Sequence, residues 1–209
     1  MSIPWFYTWS EPVFHNILQD TLSDYDIRAI YTDGSTLKHR AELIVQALKD
    51  STTPYIIFSV SDIIVKPDFS SELSEETVDM KFMDGPQGEP QVGVLYLKNT
   101  SDVQDFWNSL IISDTPLEEA IKGFKGTWSK FSDKSKTSDT WDKMSEFNIL
   151  QLIPSGFGKE FDFAEKIFTM AQHIELQSYM QHVPEDVIPF IYKIQELLFL
   201  AHKEMKKTA

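Results

Sequence analysis

The stretch Tyr55–Pro67, YIIFSVSDIIVKP, decides how the rest of the chain is read. It holds two apolar pulses, Tyr55-Ile56-Ile57-Phe58 and Ile63-Ile64-Val65, parted by Ser59-Val60-Ser61-Asp62 and closed by Pro67. A short run of β-branched and aromatic residues without polar alternation is the pattern of a strand buried on both faces. The carboxylate of Asp62 follows the first pulse and so falls at the carboxyl end of that strand, where open α/β sheets bind their ligands. The same residues also read as a strand and a turn, with Asp62 capping the turn.

Towards the N-terminus, Ile3–Trp9 is short and aromatic, a first strand ending near Ser10. Ser10-Glu11-Pro12 suits a helix start, with Ser at the cap and Pro in the first turn. Val13, Phe14, Ile17, Leu18 and Leu22 then recur with the spacing of a helix lying on a sheet. Asp26–Tyr31 reads as a second strand, Thr32-Asp33-Gly34-Ser35-Thr36 as a turn, and Leu37–Lys49 as a helix burying Leu37, Ala41, Ile44, Val45 and Leu48. Strand and helix alternating in this way specify a right-handed parallel unit, with Tyr55–Phe58 as its third and central strand.

Beyond Pro67 the pattern changes. Residues 68–77 are acidic and Ser-rich, a solvated loop or short helix, and Val78–Phe82 alternates as a half-exposed strand does. Asp84–Pro90 reads as a loop and Gln91–Leu97 as a strand, in which Gly93 predicts a close approach of other atoms to the backbone. Asn99-Thr100-Ser101 caps a helix over Asp102–Ile111. Gly123–Asp142 is polar and reads as a mobile loop anchored by Trp128 and Trp141. Asn148–Pro154 is a last strand, 155–163 a loop, and Ala164–Met180 and Glu185–Lys206 two long helices.

The expected fold is therefore α/β, with a mixed, mostly parallel sheet of about six strands between helices. One domain spans 1–209, with one half at 1–67, a second at 78–160 and C-terminal helices at 163–206. No helix-stop signal closes Lys206-Lys207-Thr208-Ala209, so further domains of the same polypeptide are expected beyond it.

Composition narrows the function. Of the 209 residues, 42% are hydrophobic and 13% aromatic, enough for a sizeable core. A net charge of -13 repels nucleic acid and anionic membranes, and Lys38-His39-Arg40 is the nearest thing to a basic patch. An acidic protein that handles a phosphorylated ligand often does so through a divalent cation, because the metal supplies the missing positive charge. The absence of cysteine excludes disulfides, thiol nucleophiles and thiolate-bound zinc. With no signal peptide and no run of about 18 apolar residues, the chain reads as soluble and cytoplasmic.

Taken in order, these elements resemble the GT-A-type nucleotide-diphospho-sugar glycosyltransferases. The resemblance covers residues 3–157 and rests on four motifs. They are the aromatic first strand; Val60-Ser61-Asp62, where the family has Asp-x-Asp; Gln91-Val92-Gly93 before a helix with Phe106 and Trp107, where it has Asn-x-Gly; and Asp139-Thr140, where it often has Asp-Gln. Within the family the resemblance is to the N-terminal domain of chlorella-virus transferases that build capsid glycan, for which the location would be the host cytoplasm.

The resemblance implies transfer of a hexosyl or deoxyhexosyl unit from a UDP-sugar to a glycan or glycoprotein, with residues 1–67 as the nucleotide-binding half and 78–160 as the acceptor-side half. A manganese or magnesium ion on Asp62 would bridge the phosphates and offset charge on the leaving group. It puts the uracil base at Tyr7, Thr8 and Trp9, although Tyr7 and Trp9 read equally well as core aromatics. Asp33 would reach the base or ribose, or else cap its turn. Arg40 would approach the nucleotide from the side, or pair with neighbouring acids. Ser61 would face the ribose. Asp139 would deprotonate the acceptor hydroxyl, with Asp133 and Asp142 as competitors. Trp128 and Trp141 would stack on a sugar or pin their loop to the core. Val60 in place of the first Asp leaves the metal in need of water, phosphate oxygens and another side chain. His173 and His182 are available for that, or serve as ordinary helix histidines.

The rival reading is a binding or scaffolding module on the same fold with a degenerate metal motif, docking through Leu197–Leu200. Pro154-Ser155-Gly156 lacks the flanking glycine of a hydrolase elbow, and no Gly-Lys-Ser/Thr element marks a P-loop.

Overall fold

The central pulse of the sequence becomes the centre of a sheet. The structure is a computed structural model. It describes residues 3–9, 14–15, 18–19, 22, 25–32, 36–65, 67–73, 78–85, 87–132, 135–138, 149–152, 185, 188–189 and 191–192. Among them the strands are β1 (Pro4–Trp9), β2 (Asp26–Thr32), β3 (Tyr55–Ser59), β4 (Ile63–Val65), β5 (Met80–Asp84), β6 (Pro90–Lys98), β7 (Trp128–Lys130), β8 (Ser135–Ser138) and β9 (Ile149–Leu152). The helices are α1 (Leu37–Asp50), α2 (Ser101–Ile112) and α3 (Leu117–Lys122), with a 3-10 segment over Pro67–Leu73.

The sheet runs β2-β1-β3-β6-β5-β8-β9-β4, with β7 also on β5. Strands β2, β1 and β3 are parallel, as the alternation of strand and helix predicts, and β6 is antiparallel to both β3 and β5. The result is the mixed α/β architecture expected from the sequence.

Both faces of β3 are covered. On one face Ile56 and Phe58 join Phe6, Leu95, Leu97 and Phe82 beneath α1 and α2, which pack against each other. On the other, Ile57 lies with Trp5, Tyr7, Val94 and Tyr96 over Leu18, Leu22 and Phe69. Burying each of these large side chains contributes about 1.5–3 kcal/mol, which is why the pulse carries so little polarity. Thr36 caps α1 by accepting the His39 N–H, and Thr100 caps α2 by accepting the Val103 N–H.

Strand β4 follows β3 by three residues yet stands at the far end of the sheet order. From Ser59 to Ile63 an extended chain spans only about 14 Å. The sheet therefore curls until β9 and β4 come back over the carboxyl end of β3, and this closure builds the candidate site.

Three expectations are corrected. The Val78–Phe82 alternation does not give a half-exposed strand: β5 begins at Met80, runs to Asp84 and is buried on both faces, Lys81 included. The hairpin is tighter than expected, because Asp84 and Pro90 are paired strand residues around a turn whose Gly88 takes φ +82°. The segment 123–142 is not simply a loop, since Trp128–Lys130 and Ser135–Ser138 add to β5 through backbone pairing that side-chain pattern does not announce. Helix α3, six residues with Ile121 buried, was not expected. The C-terminal helices fall, apart from five residues at 185–192, outside the described residues.

Candidate functional site

The site lies where β1 and β3 end and β9 returns. Strand β1 sends Trp5 and Tyr7 to one face of the sheet and Phe6 to the other, so period-2 alternation puts Thr8 on the Phe6 face. Trp5 donates its indole N–H to Ser59 Oγ at 2.8 Å, tying the start of β1 to the last residue of β3. The Tyr7 hydroxyl meets His15 Nδ1 at 2.9 Å, and burial pushes this phenol up to about 12. Burial also lowers the His15 pKa, favouring the neutral ring. Trp9 is half-buried, its ring 5.5 Å from the His15 ring. Thr8 is buried in register with Tyr31.

Beyond β3 the chain bends. Val60 donates its N–H to the Gly93 carbonyl at 3.0 Å, while its side chain, 3% exposed, enters the apolar cluster around Tyr7 and Ile63. Ser61 is buried. Asp62 is half-buried, and its Oδ1 accepts a 3.0 Å hydrogen bond from Gln151 Nε2 on β9. The close approach expected at Gly93 is to this same side chain: a Cβ there would lie 2.5 Å from Gln151 Oε1 and 3.0 Å from Met83 Sδ. Gln151 is the neighbour of Asp62 that sequence reasoning missed. Its one signal is a polar residue inside the apolar run Asn148–Pro154.

Arg40 is half-buried on the first turn of α1, at the same end of the sheet as the carboxyl ends of the parallel strands. Trp128 is not brought to this end. It is level with Met80, and through Leu97 with Ile56 at the start of β3. Its ring, 37% exposed, stands edge-on to Phe82 at 6.1 Å and so pins its segment to the core. Asp33, Asp133, Asp139, Trp141, Asp142, His173 and His182 lie outside the described residues.

Among the described residues no group of three or more acidic, His or Cys side chains converges as a metal cage. Magnesium-type sites need less, because one or two protein carboxylates suffice when substrate phosphates and water complete the shell. Asp62, half-buried beside an amide donor, fits that role. A separate cavity of about 410 Å³ opens between α2 and α3, lined by Asp102, Asp105 and Phe124 among others, on the helical layer rather than at the strand ends. No helix among the described residues is long and apolar enough to cross a membrane.

No protein family and no curated protein matches the sequence. Solved structures do match the fold. A glycosyltransferase involved in the glycosylation of the major capsid of PBCV-1 superposes with a TM-score of 0.56 at 12% identity, over 81% of this chain and 99% of that one. The bifunctional glycosyltransferase WbbM gives 0.55 at 10% identity, over 87% of this chain and 51% of its own. GlyE, a glycosyltransferase of Streptococcus pneumoniae TIGR4, gives 0.51 at 10% identity, over 92% and 63%. The chain thus spans about half of WbbM and under two thirds of GlyE. At these identities the likeness is one of fold, and the chain adopts the GT-A-like fold.

Proposed function

We propose that the chain is a glycosyltransferase that moves a sugar from a UDP-sugar to a glycan or glycoprotein acceptor with a divalent cation, Mn²⁺ or Mg²⁺, at Asp62. The observation that carries this reading is Asp62 itself, just past the carboxyl end of the central strand of a GT-A-like sheet. The bound cation would neutralise the diphosphate and stabilise it as a leaving group. A chain of net charge -13 has a particular need of that charge.

The remaining roles fall to the chain's own residues. Trp9, half-buried at the end of β1, suits an aromatic face for the base, and Tyr7 and Thr8, both buried, are proposed to support that end of the strand from within the sheet. Ser61 suits the ribose, and Arg40 on the first turn of α1 suits a phosphate or ribose oxygen. Asp33 is proposed for the base or ribose, and Asp139 for removing the proton of the acceptor hydroxyl. We propose a cytoplasmic location, in the host if the chain is viral.

A second reading is favoured by one observation: position 60 holds a valine, which offers no carboxylate and whose side chain, 3% exposed, is packed into the core. On that reading the chain binds or scaffolds without transferring.

Calorimetric titration with UDP, GDP and CMP, with and without Mn²⁺, separates the two. The transferase reading expects UDP to bind, with metal only, and Asp62→Ala to abolish it. Hydrolysis of a UDP-sugar in a donor screen would follow. No nucleotide binding under any condition would leave the scaffold.

A further inference from the structure

We infer that Gln151 is a positioning residue for Asp62, holding its carboxylate in the orientation that receives a divalent cation. The inference rests on the proposed metal-assisted function and goes beyond it by assigning a residue of β9 to the site.

Asp62 sits in a bend between β3 and β4, so no strand pairing fixes its backbone. Gln151 has such support, because it lies within β9, paired to Ile63 of β4 and to Thr137 of β8. Its carboxamide spans the gap between two landmarks. Nε2 donates to Asp62 Oδ1 at 3.0 Å, and Oε1 occupies the space over Gly93 that a Cβ would contest at 2.5 Å. The amide is thus held at its oxygen end by the shape of β6 and at its nitrogen end by the carboxylate.

A carboxylate offers about four lone-pair directions, so one oxygen can accept an amide N–H while the group still binds a cation. Hydrogen bonds to a ligating carboxylate fix its rotamer, and their loss costs about 10–100-fold in metal affinity. Gly93 is part of the same device, because only a residue without a side chain leaves room for the amide.

The test is Mn²⁺ affinity of the full chain, read by electron paramagnetic resonance with and without UDP, for wild type, Gln151→Met and Gln151→Glu. Methionine keeps the length and removes the donor, and should weaken Asp62-dependent binding by about tenfold or more. Glutamate puts a second carboxylate beside Asp62 and should bind Mn²⁺ more tightly than wild type. A residue that merely supports β9 would make both variants fall alike, and that result overturns the inference. So does Gln151→Met binding as wild type while Asp62→Ala binds nothing, which leaves the functional reading standing. If the wild type takes up no Mn²⁺ through Asp62, both fall together. Should a variant fail to fold, the wild type still decides. Substoichiometric Mn²⁺ should broaden the Gln151 side-chain amide resonance, and an unperturbed amide at a metal-loaded site overturns the inference.

Discussion

The Tyr7 hydroxyl lies 2.9 Å from His15 Nδ1, at the point where β1 leaves the core for the site. Burial pushes Tyr7 up to about 12, and Tyr31 also to about 12, by burial first and then by the Asp50 carboxylate beside it. A phenol whose folded pKa exceeds its unfolded value of about 10 contributes stability that is complete below pH 10 and lost as pH rises from 10 to 12. For the fully buried Tyr7 this amounts to about 2–3 kcal/mol. Urea denaturation between pH 8 and pH 12 should therefore show a falling stability in that window, and Tyr7→Phe should flatten part of the fall. An unchanged slope in the variant would mean that Tyr7 ionises as freely in the folded chain as in the unfolded one.

Gly93→Ala tests the crowding at the site. The added methyl meets the end of the flexible Gln151 side chain and the Met83 sulfur, not backbone, so the fold can yield. We expect a stability loss of about 1 kcal/mol. The larger consequence is displacement of the amide from Asp62, so Mn²⁺ and UDP binding should fall as far as in Gln151→Met. A variant that keeps its ligand affinity would show that the amide finds another route to the carboxylate.

Acid stability should depend on Asp79. Its carboxylate accepts the Thr127 N–H at 2.8 Å and hydroxyl at 3.0 Å, and Lys98 Nζ approaches at 3.2 Å, joining β5 and β6 to the segment before β7. The Thr127 backbone hydrogen bond leads in holding its pKa below the ordinary aspartate value, against the opposing effect of burial. A carboxyl group depressed in the folded state contributes stability above its unfolded pKa, lost as pH falls through the folded one. Asp79→Asn should therefore lower stability at neutral pH and flatten the decline of wild type below about pH 4. Equal slopes in acid would place the decline on other carboxylates.

The fold was legible where burial dictates residue type. Ile56–Phe58 is covered on both sides and could hardly be anything but apolar, and Thr36 and Thr100 mark helices because each satisfies an orphan N–H. Strands β7 and β8 were not legible, because WSK and SKTS join β5 through backbone groups that every sequence possesses. Lys81 misled for a related reason: a lysine in an alternating run reads as exposed, yet its Nζ donates to the Glu72 carbonyl at 2.9 Å beneath the Phe131 ring. Of the candidate site, the position of Asp62 just after a buried strand was legible. Gln151 was not, since its partner lies 89 residues away and only the curl of the sheet brings them together.

The same long-range logic makes Glu72 a clamp. Its carboxylate accepts the Ser132 N–H at 2.8 Å, the Ser132 hydroxyl at 2.8 Å and the Ser135 hydroxyl at 2.7 Å, while its carbonyl takes Lys81. One residue of the 3-10 segment thus fixes the turn between β7 and β8 to the sheet. Ser135 is fully buried, so Glu72→Ala strands its hydroxyl and frees the turn. We expect a loss of about 2 kcal/mol in chemical denaturation, since hydrogen bonds to a charged group are worth about 1.5–3 kcal/mol and water re-enters part of this site. Glu72→Gln, which keeps one acceptor oxygen, should lose about half as much. Hydrogen exchange should quicken at the Ser132 and Ser135 amides and stay unchanged along β3, whose protection depends on the core. If exchange rose along β3 as well, the clamp would be part of the global fold and not a local fastening.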